Sequence, residues 1–394
     1  MDKNRVSVGQ LALLYLLLIT GGKFLSLPSL LAGDVGHDSW LSMCFSFIWD
    51  GICLTFLLWA IKINRNTRLD ISTILDKSVT KVVSKIILAI FFVIFVLRTN
   101  LLLSSCYEMF SVTFDVNTNW IVYVIPVAVL AFFAIHKGFN AVARTSQLLF
   151  SIIFISVIAL LVSPLMEAEW TELLPIGEAG WGKIIATSYT RSFWFSDYIF
   201  IYFVMDGIKV KKHVFSPILV AFVIGSALAI LMDVVFVALF GHLAPNFDMA
   251  MSKIGVFSSA NSTNGRWDWL TLSVWLISVF IKVIVFIFCA YKCLEKIANK
   301  NFVKINWIVA AIVTLTLMLP LFVTTDILLS TVIAWGLIPF TVVQYILPLF
   351  MPLLTKVAQR RNPSVEIIDD KAVVDKQSNA PVSKRDKKGE LSHE

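Results

Sequence analysis

Apolar runs of about twenty residues recur along this chain, and that recurrence limits what it can fold into more than any motif does. Ten such runs occupy approximately 8–32, 39–62, 86–111, 119–136, 142–164, 183–206, 214–241, 269–291, 305–324 and 327–351. Each matches the ~20 residues that a helix needs to cross a ~30 Å hydrocarbon core. Hydrophobic residues make up 58% of the 394 and charged ones 15%, where a soluble domain carries about 25% charged. The reading is an all-α membrane protein of ten transmembrane helices over 1–353, followed by a disordered, charged cytoplasmic tail over 354–394. Only Thr324, Thr325 and Asp326 separate the last two runs, so nine spans is the competing count.

Loop charge decides between them. Lys62, Arg65, Arg68, Lys77, Lys81 and Lys85 lie in one loop. Lys137 and Arg144, Lys209 to Lys212, and Lys292 to Lys304 fall on the same side. The other side holds Lys183, Lys253 and Arg266 against Asp34, Asp38, Glu167, Glu169, Glu172 and Glu178. Lys and Arg mark the cytoplasmic side, so both termini are expected inside and the span count even. The net charge of +7 follows from this topology and does not call for nucleic acid. Within 63–85, Leu69, Ile71, Ile74, Leu75, Val79 and Val82 alternate with basic residues, which predicts an amphipathic helix on the inner leaflet.

Two spans are interrupted. In the first, Gly21, Gly22, Lys23 and Pro28 stand within eight residues, poor material for a helix interior. Unwound backbone at membrane depth is tolerated only against protein or a water-filled cavity. In the sixth, Arg191, Ser192, Ser196 and Asp197 lie between aromatics. Such residues at mid-membrane depth face the bundle interior and pair; a spacing of six does not bring Arg191 onto Asp197 within one helix. The interrupted spans open the two halves of a five-plus-five arrangement, the sequence sign of an inverted repeat with its site at the midplane. Arg98 and Thr99 in the third span and Lys282 in the eighth, with Ser278 four residues before it, are further polar groups in apolar context. Asp50 and Asp233 read as peripheral structural pairs. No metal or cofactor set emerges, the five cysteines read as buried apolar residues, and no nucleophile–base or phosphate-loop pattern suggests an enzyme.

Gly21-Gly22-Lys23-Phe24-Leu25-Ser26-Leu27-Pro28 and Gly36-His37-Asp38-Ser39-Trp40-Leu41-Ser42 resemble the start of the spore germination receptor B-subunit family. This is the GerAB-like branch of the amino acid/polyamine/organocation transporter superfamily. Leu97-Arg98, Leu173-Leu174-Pro175, Phe193-Trp194-Phe195-Ser196-Asp197 and Phe280-Ile281-Lys282 fit it too, so the likeness spans about 8–352. Trp194, Ser196 and Asp197 stand where that family usually has Pro, Gly and Glu, and Lys23 where it has a small or apolar residue. The resemblance implies a LeuT-like fold with broken first and sixth helices. It also implies a small-molecule germinant (amino acid or sugar), receptor A and C subunits as partners, and a place in the inner spore membrane. The ligand-binding residues expected on this basis are Gly21, Gly22, Lys23, Ser26, Arg98, Thr99, Phe193, Trp194, Ser196, Asp197, Ser278 and Lys282. A proton-coupled amino acid symporter using the same pocket is the alternative.

Overall fold

The computed structural model describes residues 6–114, 121–209, 215–247, 249–260, 268–299 and 336–361. Helices α1 (Val8–Lys23), α2 (Leu27–Val35), α3 (Ser39–Ile63), α4 (Ile71–Ser78), α5 (Lys81–Phe114), α6 (Ile121–Lys137) and α7 (Phe139–Glu167) build the first part. Then come α8 (Trp181–Thr190), α9 (Phe215–Phe240), α10 (Ala250–Ala260) and α11 (Asp268–Ala298). The last, α12 (Leu337–Arg360), contains a π-helical stretch at Val342–Ile346. Six helical stretches among the described residues are long and apolar enough to cross a membrane. Their outer faces carry Trp49, Leu148, Ile155 and Val223, all exposed. An apolar outside around a polar-studded centre is the arrangement that lipid favours. The ninth predicted span and the start of the tenth lie outside the described residues. So do residues 362–394, while α12 continues past the predicted boundary at 353 to Arg360.

Helix α1 is the axis of the bundle. Apart from Gly9, Gln10 and Leu13 all its residues are buried, as a helix apolar on every side must be. It packs on α7, α9 and α11. Ser7 caps it in a reciprocal capping box: its Oγ accepts from the Gln10 amide (3.2 Å) while Gln10 Oε1 accepts from the Ser7 amide (3.1 Å). Val6–Ser7 also pair in parallel with Ile208–Lys209, tying the start of α1 to the end of the sixth span.

The lysine-rich end differs from expectation. The 63–85 segment is not one leaflet helix but α4, a break at Val79–Thr80, and the first turn of α5. Leu69, Ile71, Ile74 and Leu75 are buried against the protein, α4 lying on α12, whereas Val79 and Val82 are exposed. The apolar face found a protein groove, which excludes water more fully than a leaflet surface. Asp70 caps α4 through the Thr73 amide (3.2 Å) and holds Ser72 Oγ (2.8 Å), Thr73 Oγ1 and Lys296 Nζ. Burial alone would raise the Asp70 carboxyl, but the hydrogen bonds from Lys296 and Thr73 hold it below the ordinary carboxylate range. Its native pKa is lower than its unfolded one, so this contribution is present at neutral pH and is lost as pH falls through the native value. Asp70→Ala should cost about 0.5–2 kcal/mol locally, read as faster hydrogen exchange of residues 71–78 than in the parent at pH 7.

Candidate functional site at the two helix breaks

Both predicted interruptions exist, but the first lies later than the glycines suggested. α1 stays helical through Gly21, Gly22 and Lys23, and the break is Phe24-Leu25-Ser26. Pro28 in the first turn of α2 explains this: it has no amide to donate, and its ring would collide with the carbonyl four residues back, that of Phe24. Two of the carbonyls at the break are taken up by protein. Phe24 O accepts from Met251 N and Leu25 O from Ala250 N, both at 3.2 Å, at the start of α10. The glycines serve close approach instead. A Cβ on Gly21 would lie 2.9 Å from the backbone oxygen of Ser278 in α11, and one on Gly22 would lie 2.9 Å from Lys282 Nζ.

The sixth span unwinds over a longer stretch. After α8 the chain makes a 3-10 turn at Ser192–Trp194, extends at Phe195, turns left-handed at Ser196 (φ 61°, ψ 37°), and resumes as 3-10 helix over Asp197–Phe203. A left-handed serine costs about 1–2 kcal/mol that a glycine would not. Asp50 on α3 offsets it, accepting from Ser196 N (2.7 Å) and Ser196 Oγ (3.0 Å). Asp50, 2% exposed, is therefore part of this centre and not the peripheral pair expected. Asp233, which accepts from Ser39 Oγ at 2.7 Å, does act as a structural pair. Arg98 donates to the carbonyl oxygens of Phe195 and Ser196, occupying the other freed groups of the break.

Between the two breaks lies an ionic cluster. Lys23 at the end of α1 bonds Asp197 Oδ2, and Lys282 on α11 reaches Asp197 Oδ1 at 2.8 Å. All three side chains are buried. Each cation also rests over an aromatic face: Lys23 over Phe195 (5.3 Å) and Phe47 (5.5 Å), Arg98 over Phe193 (5.3 Å), Lys282 over Phe286 (5.6 Å). Such contacts strengthen once water is removed. Among the described residues the centre gathers three basic side chains, Lys23, Lys282 and Arg98, and two carboxyl groups, Asp197 and Asp50. Ser26 Oγ, Thr99 Oγ1, Trp194 Nε1 and Arg98 Nε are buried there and have no hydrogen-bond partner among the described residues. Ser278 Oγ is spent inside its own helix, on Trp275 O at 2.6 Å.

Arg191 is not in this centre. Its guanidinium grips Asp34 near the end of α2 in a two-point contact, Nε–Oδ2 2.6 Å and Nη2–Oδ1 2.9 Å. That pair bridges α2 and α8, the halves of the two broken spans on the acidic side. Asp38 adds to the closure there, accepting from the amides of Gly177 (2.8 Å) and Ala179 (3.0 Å). Of the expected ligand residues, Gly21, Gly22, Lys23, Arg98, Phe193, Ser196, Asp197, Ser278 and Lys282 lie in contact with one another where the breaks meet α5 and α11; Ser26, Thr99 and Trp194 are buried on the same elements. Asp50 was missed, though a carboxylate in the middle of an apolar run was the signal that could have found it.

The profile of a family described as spore germination protein (spore permease) matches residues 5–325. No curated protein matches the sequence. Among solved structures, three mutant forms of a manganese transporter from Eremococcus coleocola align over 91% of this chain and 77% of theirs. Their identities are 10–11%, with a TM-score of 0.46 in each case.

Proposed function

Because the chain belongs to the spore germination protein family, we propose that it is the multi-pass subunit of a nutrient receptor that binds an amino acid between its two helix breaks. The observation that carries this reading is the meeting of Lys23 and Lys282 on Asp197, inside a cluster that among the described residues has one more basic side chain than carboxyl group. A ligand carboxylate supplies the missing anion, and Ser26, Thr99 and Trp194 supply donors that have no partner among the described residues. The ligand ammonium competes with the two lysines for Asp197. Binding thus exchanges internal ion pairs for ligand contacts, and the state that makes the exchange best gains population by that difference in affinity. Arg191–Asp34 closes the acidic side above this centre and opens for entry. The five-plus-five LeuT-like arrangement, cytoplasmic termini in the inner spore membrane, and action through receptor A and C subunits complete the reading. Its supports are the span order, the loop charges and the family.

Lys282→Met tests it. Spores carrying the variant should insert the chain at normal levels yet lose the response to their amino acid germinant, and the purified variant should lose the thermal shift that amino acids give the parent. A full response would remove Lys282 from the site. Uptake of labelled amino acid by the isolated chain in proteoliposomes would favour the symporter; dependence on partner subunits favours the receptor.

A further inference from the structure

A second polar site lies at the lysine-rich end of the bundle, away from the helix breaks. A cavity of about 330 Å³ opens between α4, the start of α5 and the end of α11. Ser72, Asp76, Lys81, Ser84, Lys85 and Lys296 line it. Lys296 is already engaged by Asp70, but Lys81 and Lys85 have no ion pair among the described residues. Ser84 is fully buried and its Oγ has no hydrogen-bond partner among the described residues. Helix α5 begins at Lys81; Thr80 takes the amides of Val83 (3.4 Å, on Oγ1) and Ser84 (2.9 Å, on its carbonyl), so the helix adds the positive end of its dipole beside Lys81 and Lys85 and not a set of free amides. Two unpaired ammonium groups, a buried hydroxyl and a helix N-terminus form a set suited to a phosphate oxyanion. Asp76 is the one carboxylate on the lining, at its exposed edge.

The surroundings choose the source of the phosphate. Val82, Val83 and Ile86 are exposed beside the lysines, on a helix whose next turns form a membrane span. Apolar residues in the acyl region with ammonium groups at headgroup level are what an anionic phospholipid requires. We infer that the cavity between α4 and α5 binds the headgroup phosphate of an anionic phospholipid. This site stands on its own geometry and does not depend on the amino acid reading.

Native mass spectrometry of the full chain, titrated in detergent with phosphatidylglycerol, phosphatidylcholine or inorganic phosphate, tests it. The parent should retain one phosphatidylglycerol in preference to phosphatidylcholine. Lys81→Gln/Lys85→Gln should weaken that retention about thirtyfold, from the usual contribution of one basic residue near an anionic surface. Ser84→Ala, which leaves the charge unchanged, should weaken it as well. Lys62→Gln/Lys356→Gln removes equal charge from the same end and should have little effect. Equal losses in both double variants would show diffuse attraction and overturn the site. Displacement of the lipid by millimolar inorganic phosphate would overturn the lipid assignment.

Discussion

Asp197→Asn is expected to destabilise the protein by about 3–5 kcal/mol, because one carboxylate serves two buried lysines. Its loss leaves Lys23 and Lys282 facing each other across an amide in a region that excludes water. Replacing a single lysine is milder: in Lys282→Met the Lys23–Asp197 pair survives as a neutral unit. Unfolding midpoints in detergent should therefore fall further for Asp197→Asn than for Lys282→Met. The double variant Asp197→Asn/Lys282→Met should recover part of the loss, since one orphaned cation is gone. If Asp197→Asn unfolds at the parent's midpoint, the lysines have other partners and the cluster is not a coupled unit.

Gly21→Ala and Gly22→Ala should fail in different ways. The added Cβ at position 21 meets the Ser278 backbone oxygen at 2.9 Å, an atom that cannot move unless α11 does. Overpacking of this kind costs about 1–3 kcal/mol, and alanine's better helix propensity returns only about 1 kcal/mol. A net loss of stability follows. At position 22 the nearest atoms are Lys282 Nζ at 2.9 Å and Leu102 Cδ2 at 3.0 Å, both ends of flexible side chains. They can give way, so stability changes little, but Lys282 is pushed from Asp197 and the response to ligand should drop. A Gly21→Ala chain as stable as the parent would show that α1 and α11 are not in close contact there.

Much of this centre was legible from residue types alone. Lysine, arginine and aspartate are costly at membrane depth, so Lys23, Arg98, Asp197 and Lys282 announced an interior cluster without any geometry. Partner identity was not legible, because it depends on which helices touch. That is why Asp50 reads as peripheral and why no partner for Arg191 can be named before the structure shows Asp34. The glycine pair misled about where α1 ends. Glycine both weakens helices and permits their close approach, and only the position of α11 shows which property is in use. The leaflet helix over 63–85 was misjudged for a related reason: an amphipathic stretch shows that a face must be covered, and not by what.

The bonds from Ala250 and Met251 to the carbonyls of Leu25 and Phe24 have a mechanical consequence. They make the start of α10 a bearing on which α2 is seated. Were Arg191 to release Asp34, a swing of α2 away from α8 would pivot on those two carbonyls, with α1 held in close approach to Ser278. Any such swing would load α10 first, a lever arm already attached at its fulcrum.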